Sequence, residues 1–219
     1  LALVCFASPD KDSIWNEKIV LGSHKFLNKV YDYFDNIKIG GGNKRIESKL
    51  NKTIKEVTEY VENFKYNLAV IKIRDLFNSL SDEDSKDVLE KFLKLLHLFC
   101  PHITEELWEK LGNKNFISLE KWPVVDEKKI DESFERHEEF VRKLAEDIIY
   151  IKGIVKIKNP KAYIYAVPQD LSVINVNKET ISTISGAIVV PYAVNDKNKY
   201  DPENKSKKVK PGRPGIYLK

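Results

Sequence analysis

The residues with the chemistry to hold a metal are His97, Cys100 and His102. A zinc site needs three or four converging ligands. His97 and Cys100 are three apart on one helical face, but His102 lies beyond Pro101, and no fourth ligand is evident. The spacing therefore predicts a structural pair: His97 between helices and His102 at a proline kink. His24 and His137 are isolated. A serine nucleophile needs a strained elbow or a neighbouring base, and no G-x-S-x-G occurs. The carboxylates of Asp82-Glu83-Asp84 and Glu105-Glu106 read as solvated faces or helix starts. Gly40-Gly41-Gly42 lacks the Gly-Lys-Ser/Thr of a phosphate loop, and neither a Rossmann fingerprint nor H-E-x-x-H appears. The expectation is a chain with no catalytic residue, metal or cofactor of its own.

Cations give a stronger signal. Lys197, Lys199, Lys205, Lys207, Lys208, Lys210 and Arg213 crowd one segment, against Asp201 and Glu203, with Tyr192 and Tyr200 beside them. Lys and Arg neutralise phosphates, and tyrosines stack on splayed bases. The plainer reading is a polar connection between two strands. A second basic spot is Lys44, Arg45, Lys49 and Lys52, the last three a helical turn apart. Cations are disfavoured at a helix N-terminus, which tilts this spot toward a functional reading. Residues 1–150 carry 24 Lys/Arg and 28 Asp/Glu, a net of −4, whereas residues 151–219 carry 13 and 5, a net of +8. An anionic partner on one side, nucleic acid first, or a lysine-rich solvated surface fits that contrast.

The elements that must position these groups read as follows. Val20, Phe26, Leu27, Val30, Tyr31 and Phe34 predict a helix over 17–35, with Ser13 as its cap. Ile46, Leu50, Ile54, Val57, Val61, Phe64, Leu68 and Ile71 predict one helix over 45–77, about 48 Å long. Ser81 or Asp84 caps the next, which shows Val88, Phe92, Leu95, Leu96, Phe99, Ile103, Leu107 and Leu111, is broken at Pro101 and stops at Gly112. A fourth spans 131–152, with Phe140, Val141, Leu144, Ile148 and Ile151 on one side and Glu138–Arg142 and Glu139–Lys143 pairs. Beyond 152 the period changes to two. Strands are expected at 162–167, 171–176, 187–194 and 216–218. The fold class is mainly α: a helical bundle followed by a small α+β domain.

With 219 residues and 42% apolar composition, the chain can bury a sizeable core. No apolar run reaches the roughly 18–20 residues that span a bilayer, and no signal peptide opens the chain, so no membrane partner is expected. Cys5 and Cys100 fit reduced residues in a cytoplasmic compartment. Methionine is absent even at position 1, and Leu1 falls inside the apolar run Leu1–Ala7. These features predict an internal piece of a larger protein, or a sequence from which residues have dropped out.

The segment Phe99-Cys100-Pro101-His102-Ile103-Thr104-Glu105-Glu106-Leu107-Trp108 resembles a hallmark of the helical anticodon-binding domain of class I aminoacyl-tRNA synthetases for leucine, isoleucine and valine. Trp122-Pro123 is similar to that family's junction after the third helix. Three features resemble the leucyl enzymes of archaeal and eukaryotic cytosolic type: Phe6 to Asp12 with Trp15, Gly22 to Tyr31, and the closing Tyr200 to Lys205 and Pro211 to Ile216.

The resemblance implies residues 1–16 as the end of a stem leaving a catalytic body, 17–152 as a tRNA-binding bundle and 153–219 as a small basic C-terminal domain. It implies that His102, Glu105 and Trp108 are scaffold. The HIGH and KMSKS signatures and the editing domain are absent, so the chain is expected to be catalytically inactive. In the intact enzyme, with ATP and Mg, leucine would be joined to tRNA(Leu). The basic segment with Tyr200 and the Lys44–Lys52 spot would hold that tRNA, the former at its long variable arm. The stretch 171–186 is shorter than the helical stretch of the related enzymes. Two other readings stand beside this one: a protein-interaction bundle with a solubilising tail, and the same region of an isoleucyl or valyl enzyme.

Overall fold

The computed structural model describes residues 1–7, 11–12 and 14–219, with Phe6 by its backbone alone. The expected cap Ser13 and the stretch 8–10 lie outside the described residues. The chain divides into two compact units, Leu1–Asp131 and Glu132–Lys219.

The first unit is helical: α1 (Ala2–Phe6), α2 (Glu17–Asn36), α3 (Lys44–Glu62), α4 (Tyr66–Phe77), α5 (Lys86–His97) and α6 (Pro101–Lys110). Helix α2 starts at Asn16, whose side chain accepts the Lys18 amide, and buries Ser23, Phe26, Val30 and Phe34. Asn43 caps α3 in the same way. The long helix expected over 45–77 is two helices. Phe64 takes a left-handed φ of 57°, and the amide of Lys65 turns back to the Tyr60 carbonyl. In α4 the buried residues are Ala69, Val70, Ile73 and Leu76, whereas Leu68 and Ile71 are exposed. Two apolar stripes happen to join in one period across the Asn63–Lys65 turn.

Neither Ser81 nor Asp84 caps α5. Ser85 does so, its hydroxyl accepting the Val88 amide at 3.4 Å. Asp84 is fully buried in β2 (Glu83–Asp84), which pairs in parallel with β1 (Lys38–Ile39). Its carboxylate accepts the Ser81 amide at 2.8 Å and the Tyr33 hydroxyl at 3.0 Å. Between α5 and α6 the chain breaks, since Pro101 has no amide to continue α5 and takes the first position of α6 instead. One core joins these helices through Ile54, Ile73, Phe92, Leu96 and Leu107.

In the second unit α7 (Glu132–Val155) packs with β3 (Lys161–Ala166), α8 (Pro168–Val176), α9 (Lys178–Ser185), β4 (Ile188–Ala193) and β5 (Gly215–Leu218). Contacts divide the chain at 131/132, whereas the sequence pattern places the boundary at 152/153. Val141, Leu144, Ala145 and Ile148 of α7 share a core with Ala162, Ile164, Ala166 and Val189 of the strands. Lys143 pairs with Glu139 as expected, while Arg142 pairs with Glu146 at 2.7 Å.

The sheet order is β4-β3-β5. Strands β3 and β4 are parallel, β3 and β5 antiparallel. The strand expected at 171–176 is instead helix α8. A parallel pair needs a crossover that carries the chain back along the sheet, and α8 with α9 supplies it. The β-branched run there reads as a strand locally, but Ile174 is buried while Val176 is exposed.

Candidate nucleic-acid interface

The segment 99–108 is scaffold in atomic detail. Cys100 is buried, and burial pushes its thiol pKa up to about 11, so it is no nucleophile at neutral pH. The Thr104 hydroxyl lies 2.9 Å from the Cys100 carbonyl, to which it donates, and 2.8 Å from His97 Nδ1. His97 thus bridges the helices as expected, whereas His102 is exposed. His24 and His137 are exposed too. Glu105 accepts the amides of Ile117 at 2.9 Å and Ser118 at 3.1 Å. Burial alone would raise its pKa, but these two amides hold it below the usual carboxylate range. The Trp108 indole donates to the Asn115 carbonyl at 3.0 Å.

Sequence reasoning missed what this segment anchors. Residues 113–131 form a strap over the bundle, held by Glu105 and Trp108 at one end. Further along, the Trp122 indole donates to the Thr58 hydroxyl at 2.8 Å, and Asn51 and Ser48 accept the amides of Asp126 and Asp131. Only Trp122-Pro123 marked this stretch in the sequence.

Gly40–Gly42 is not a phosphate cradle. A Cβ on Gly40 would meet the Glu83 carboxylate, and one on Gly42 the Glu47 carboxylate. Acids crowding the loop repel a nucleotide, so the residues present do not fit ATP.

Of the first basic spot, Lys44 and Arg45 are exposed and Lys49 and Lys52 half-buried on α3. The helix places Arg45, Lys49 and Lys52 at i, i+4 and i+7, one side of the cylinder.

The second spot is built into the second unit. Lys205–Lys208 form a 3₁₀ turn between β4 and β5. Asp201 organises it by accepting the amides of Lys205 at 2.8 Å and Ser206 at 3.0 Å. Burial works to raise the Asp201 pKa, but the bonds from Ser206 and Lys205 prevail and lower it. Lys210-Pro211-Gly212-Arg213 is a tight turn, with the Arg213 amide on the Lys210 carbonyl at 2.8 Å and Gly212 at φ 73°. Pro then Gly at the two central positions is what a type II turn requires. Gly215 is needed at the next step, since a Cβ there would sit 2.8 Å from the Lys205 carbonyl oxygen.

These turns hold Lys207, Lys208, Lys210 and Arg213 exposed along one short stretch, with Lys197 exposed nearby. Among the described residues no acid pairs with Lys207 or Lys208. Two residues of the expected set are engaged otherwise. Lys199 Nζ donates to the Val194 and Asp196 carbonyls at 3.0 and 3.1 Å, and Lys205 pairs with Glu203 at 3.1 Å.

Tyr200 and Tyr192 belong to a larger group that sequence reasoning did not assemble. Alternation in β3 sends Ala162, Ile164 and Ala166 to the helices and Tyr163 and Tyr165 to the other face. Register then pairs Tyr163 with Tyr217 and Tyr165 with Tyr192. The alternation was visible in the sequence, but the partners across the strands are set by register.

Comparison with known proteins places this geometry. Residues 43–166, more than half of the chain, match the anticodon-binding domain of tRNA ligases. The chain belongs to that family. It is 34% identical over 190 residues to the leucine--tRNA ligase of Pyrococcus horikoshii, covering 75% of this chain and 20% of that protein. It is 36% identical over 121 residues to the leucine--tRNA ligase of Mycoplasma mycoides, covering 53% and 15%. The chain thus spans a fifth or less of the length of these relatives. Among solved structures, a ternary LeuRS–tRNA–LeuAMS complex from Agrobacterium radiobacter superposes with a TM-score of 0.52 at 20% identity, over 76% of this chain and 21% of that one. At that identity the likeness establishes the fold, mainly helical as expected for this domain.

Proposed function

We propose that the chain is the tRNA-holding portion of a leucine--tRNA ligase. The observation that carries this is the match of the anticodon-binding domain together with leucine--tRNA ligase relatives spanning three quarters of the chain. The matches to two Pyrococcus enzymes run over 190 and 194 residues, against 121 and 136 for the Mycoplasma mycoides and Rickettsia enzymes, which supports the archaeal type. The intact enzyme, in the cytoplasm, would carry catalytic and editing domains in the same polypeptide. With ATP and Mg there, it would activate leucine and pass it to the 3′ end of tRNA(Leu), releasing AMP and diphosphate.

This chain contributes position. Holding the tRNA body fixes where its reacting end arrives, and such orientation lowers the barrier without any group touching the reaction. The exposed Lys197, Lys207, Lys208, Lys210 and Arg213 meet phosphates, and the long variable arm of tRNA(Leu) is the element they hold. Lys44, Arg45, Lys49 and Lys52 support the tRNA from the bundle. Titration of the chain with tRNA(Leu) and with the same tRNA lacking its variable arm tests this. Tighter binding of the complete tRNA is expected. Equal affinity removes the variable arm from the account, and no binding to either at low salt leaves an interaction scaffold.

A further inference from the structure

We propose that the tyrosine-bearing face of the β4-β3-β5 sheet is a stacking site for unpaired RNA nucleotides, with Tyr200 as its outermost ring and Lys219 as the cation beside it. The proposal rests on the tRNA-holding reading and names what one surface of it recognises.

The two faces of this sheet differ in kind. Toward the helices, β3 presents Ala162, Ile164 and Ala166, the small and aliphatic residues that dry packing favours. The other face presents tyrosine on all three strands: Tyr163, Tyr165, Tyr192 and Tyr217. Their rings are arrayed at a spacing of about one ring, with Tyr163 and Tyr165 each stacked on Tyr192 at centroid distances of 6.3 and 6.2 Å. Tyr200 packs against Tyr163 at 4.9 Å and Tyr217 at 6.0 Å, its ring tilted by 52° and 59° to theirs. Tyr165 is fully buried, and its hydroxyl donates to the Tyr200 carbonyl, which fixes the loop that carries the outer ring. Tyr200 itself is 38% exposed, and Tyr163, Tyr192 and Tyr217 are half-buried.

Charge selects the occupant. Residues 195–219 hold eight Lys/Arg against Asp196, Asp201 and Glu203. All three acids are engaged, Asp196 and Asp201 with backbone amides and Glu203 with Lys205. Lys219 Nζ stands 5.1 Å from the centre of the Tyr200 ring and 3.4 Å from its hydroxyl. Backbone bonds in both directions between Lys161 and Lys219 extend the β3–β5 ladder to that residue. Flat rings that accept any base face, rimmed by cations that accept the connecting phosphates, suit single-stranded nucleic acid. A duplex offers no free base face, so the site takes unpaired nucleotides.

The test uses the full chain with a tRNA(Leu) transcript, a single-stranded RNA oligomer of about a dozen nucleotides and the abasic form of that oligomer. Tyr200→Ala keeps the carbonyl that Tyr165 bonds and removes the ring. Tyr200→Leu keeps apolar bulk without a π face, and Tyr200→Phe keeps the face without the hydroxyl. Tyr200→Ala and Tyr200→Leu are expected to weaken both base-bearing RNAs roughly 5- to 100-fold, the range of one lost stack. Tyr200→Phe should stay within about twofold, the salt slope should not move, and the abasic oligomer should bind all four proteins alike. Unchanged binding by both Tyr200→Ala and Tyr200→Leu, or equal losses for the abasic oligomer, overturns the inference while leaving tRNA binding intact. Failure of the unaltered chain to bind any RNA overturns the reading beneath it as well.

Discussion

Glu105 shows how one side chain can be structural in a place where acidic residues invite a catalytic reading. Its carboxylate receives two backbone amides at the start of the Ile117–Leu119 turn. Because those bonds favour the ionised form, its pKa is lower folded than unfolded. The stabilisation is complete above the unfolded value of about 4.3 and is lost as pH falls through the folded value. Glu105→Ala should cost about 1.5–3 kcal/mol, the range for hydrogen bonds to a charged group. It should also lessen the fall in stability below about pH 4.3. Thermal melts of both proteins at pH 7 and across the acid range check this, and an unaltered acid profile would mean that Glu105 is not what the strap depends on.

Helix boundaries mark where the sequence stops being legible. The stripe of Ile46, Leu50, Ile54 and Val57 gives α3 correctly because every one of them faces the core. Past Val61 the same period runs on through Phe64, Leu68 and Ile71, yet these are exposed, and the buried stripe of α4 is set by Ala69, Val70, Ile73 and Leu76. Periodicity reports a face, and a turn that resets the face without a Gly or Pro leaves no mark in it. Likewise 171–176 has strand composition, and only the parallel pairing of β3 with β4 demands a helix there. The basic segment was legible because charge crowding is local; the tyrosine face was not, because its members come from 163, 192, 200 and 217.

The turn itself can be tested by a change of sign. At a left-handed φ of 57°, Phe64→Gly relieves a strain of about 1–2 kcal/mol against a chain-entropy cost of about 0.5–1. The variant should be neutral or more stable by up to about 1.5 kcal/mol; inside a continuous helix it would instead lose about 1 kcal/mol. The paired variants Ile73→Ala and Ile71→Ala should separate just as clearly. The first leaves a core cavity costing about 2–5 kcal/mol, and the second, at a half-exposed site, should cost less than 1. Urea unfolding of the three variants reads out all of these.

For the molecule as a whole, moving α7 into the second unit changes the charge division but not its sense. Glu132–Lys219 holds 16 Lys/Arg and 11 Asp/Glu, a net of +5, and Leu1–Asp131 holds 21 and 22, a net of −1. The excess lies almost wholly in the β4–β5 connection and its flanks, where Asp201, Gly212 and Gly215 build the turns that hold the cations out. Fold and charge are the two observations on which the proposed grip on tRNA rests. The salt dependence of tRNA(Leu) binding, compared between the unaltered chain and Lys207→Glu/Lys208→Glu/Lys210→Glu, tests that most directly. If these three lysines meet phosphates, affinity should fall and the slope of log K against log salt should flatten by about 2–3, close to one unit per lost contact. A slope that stays the same in the triple variant would contradict the account.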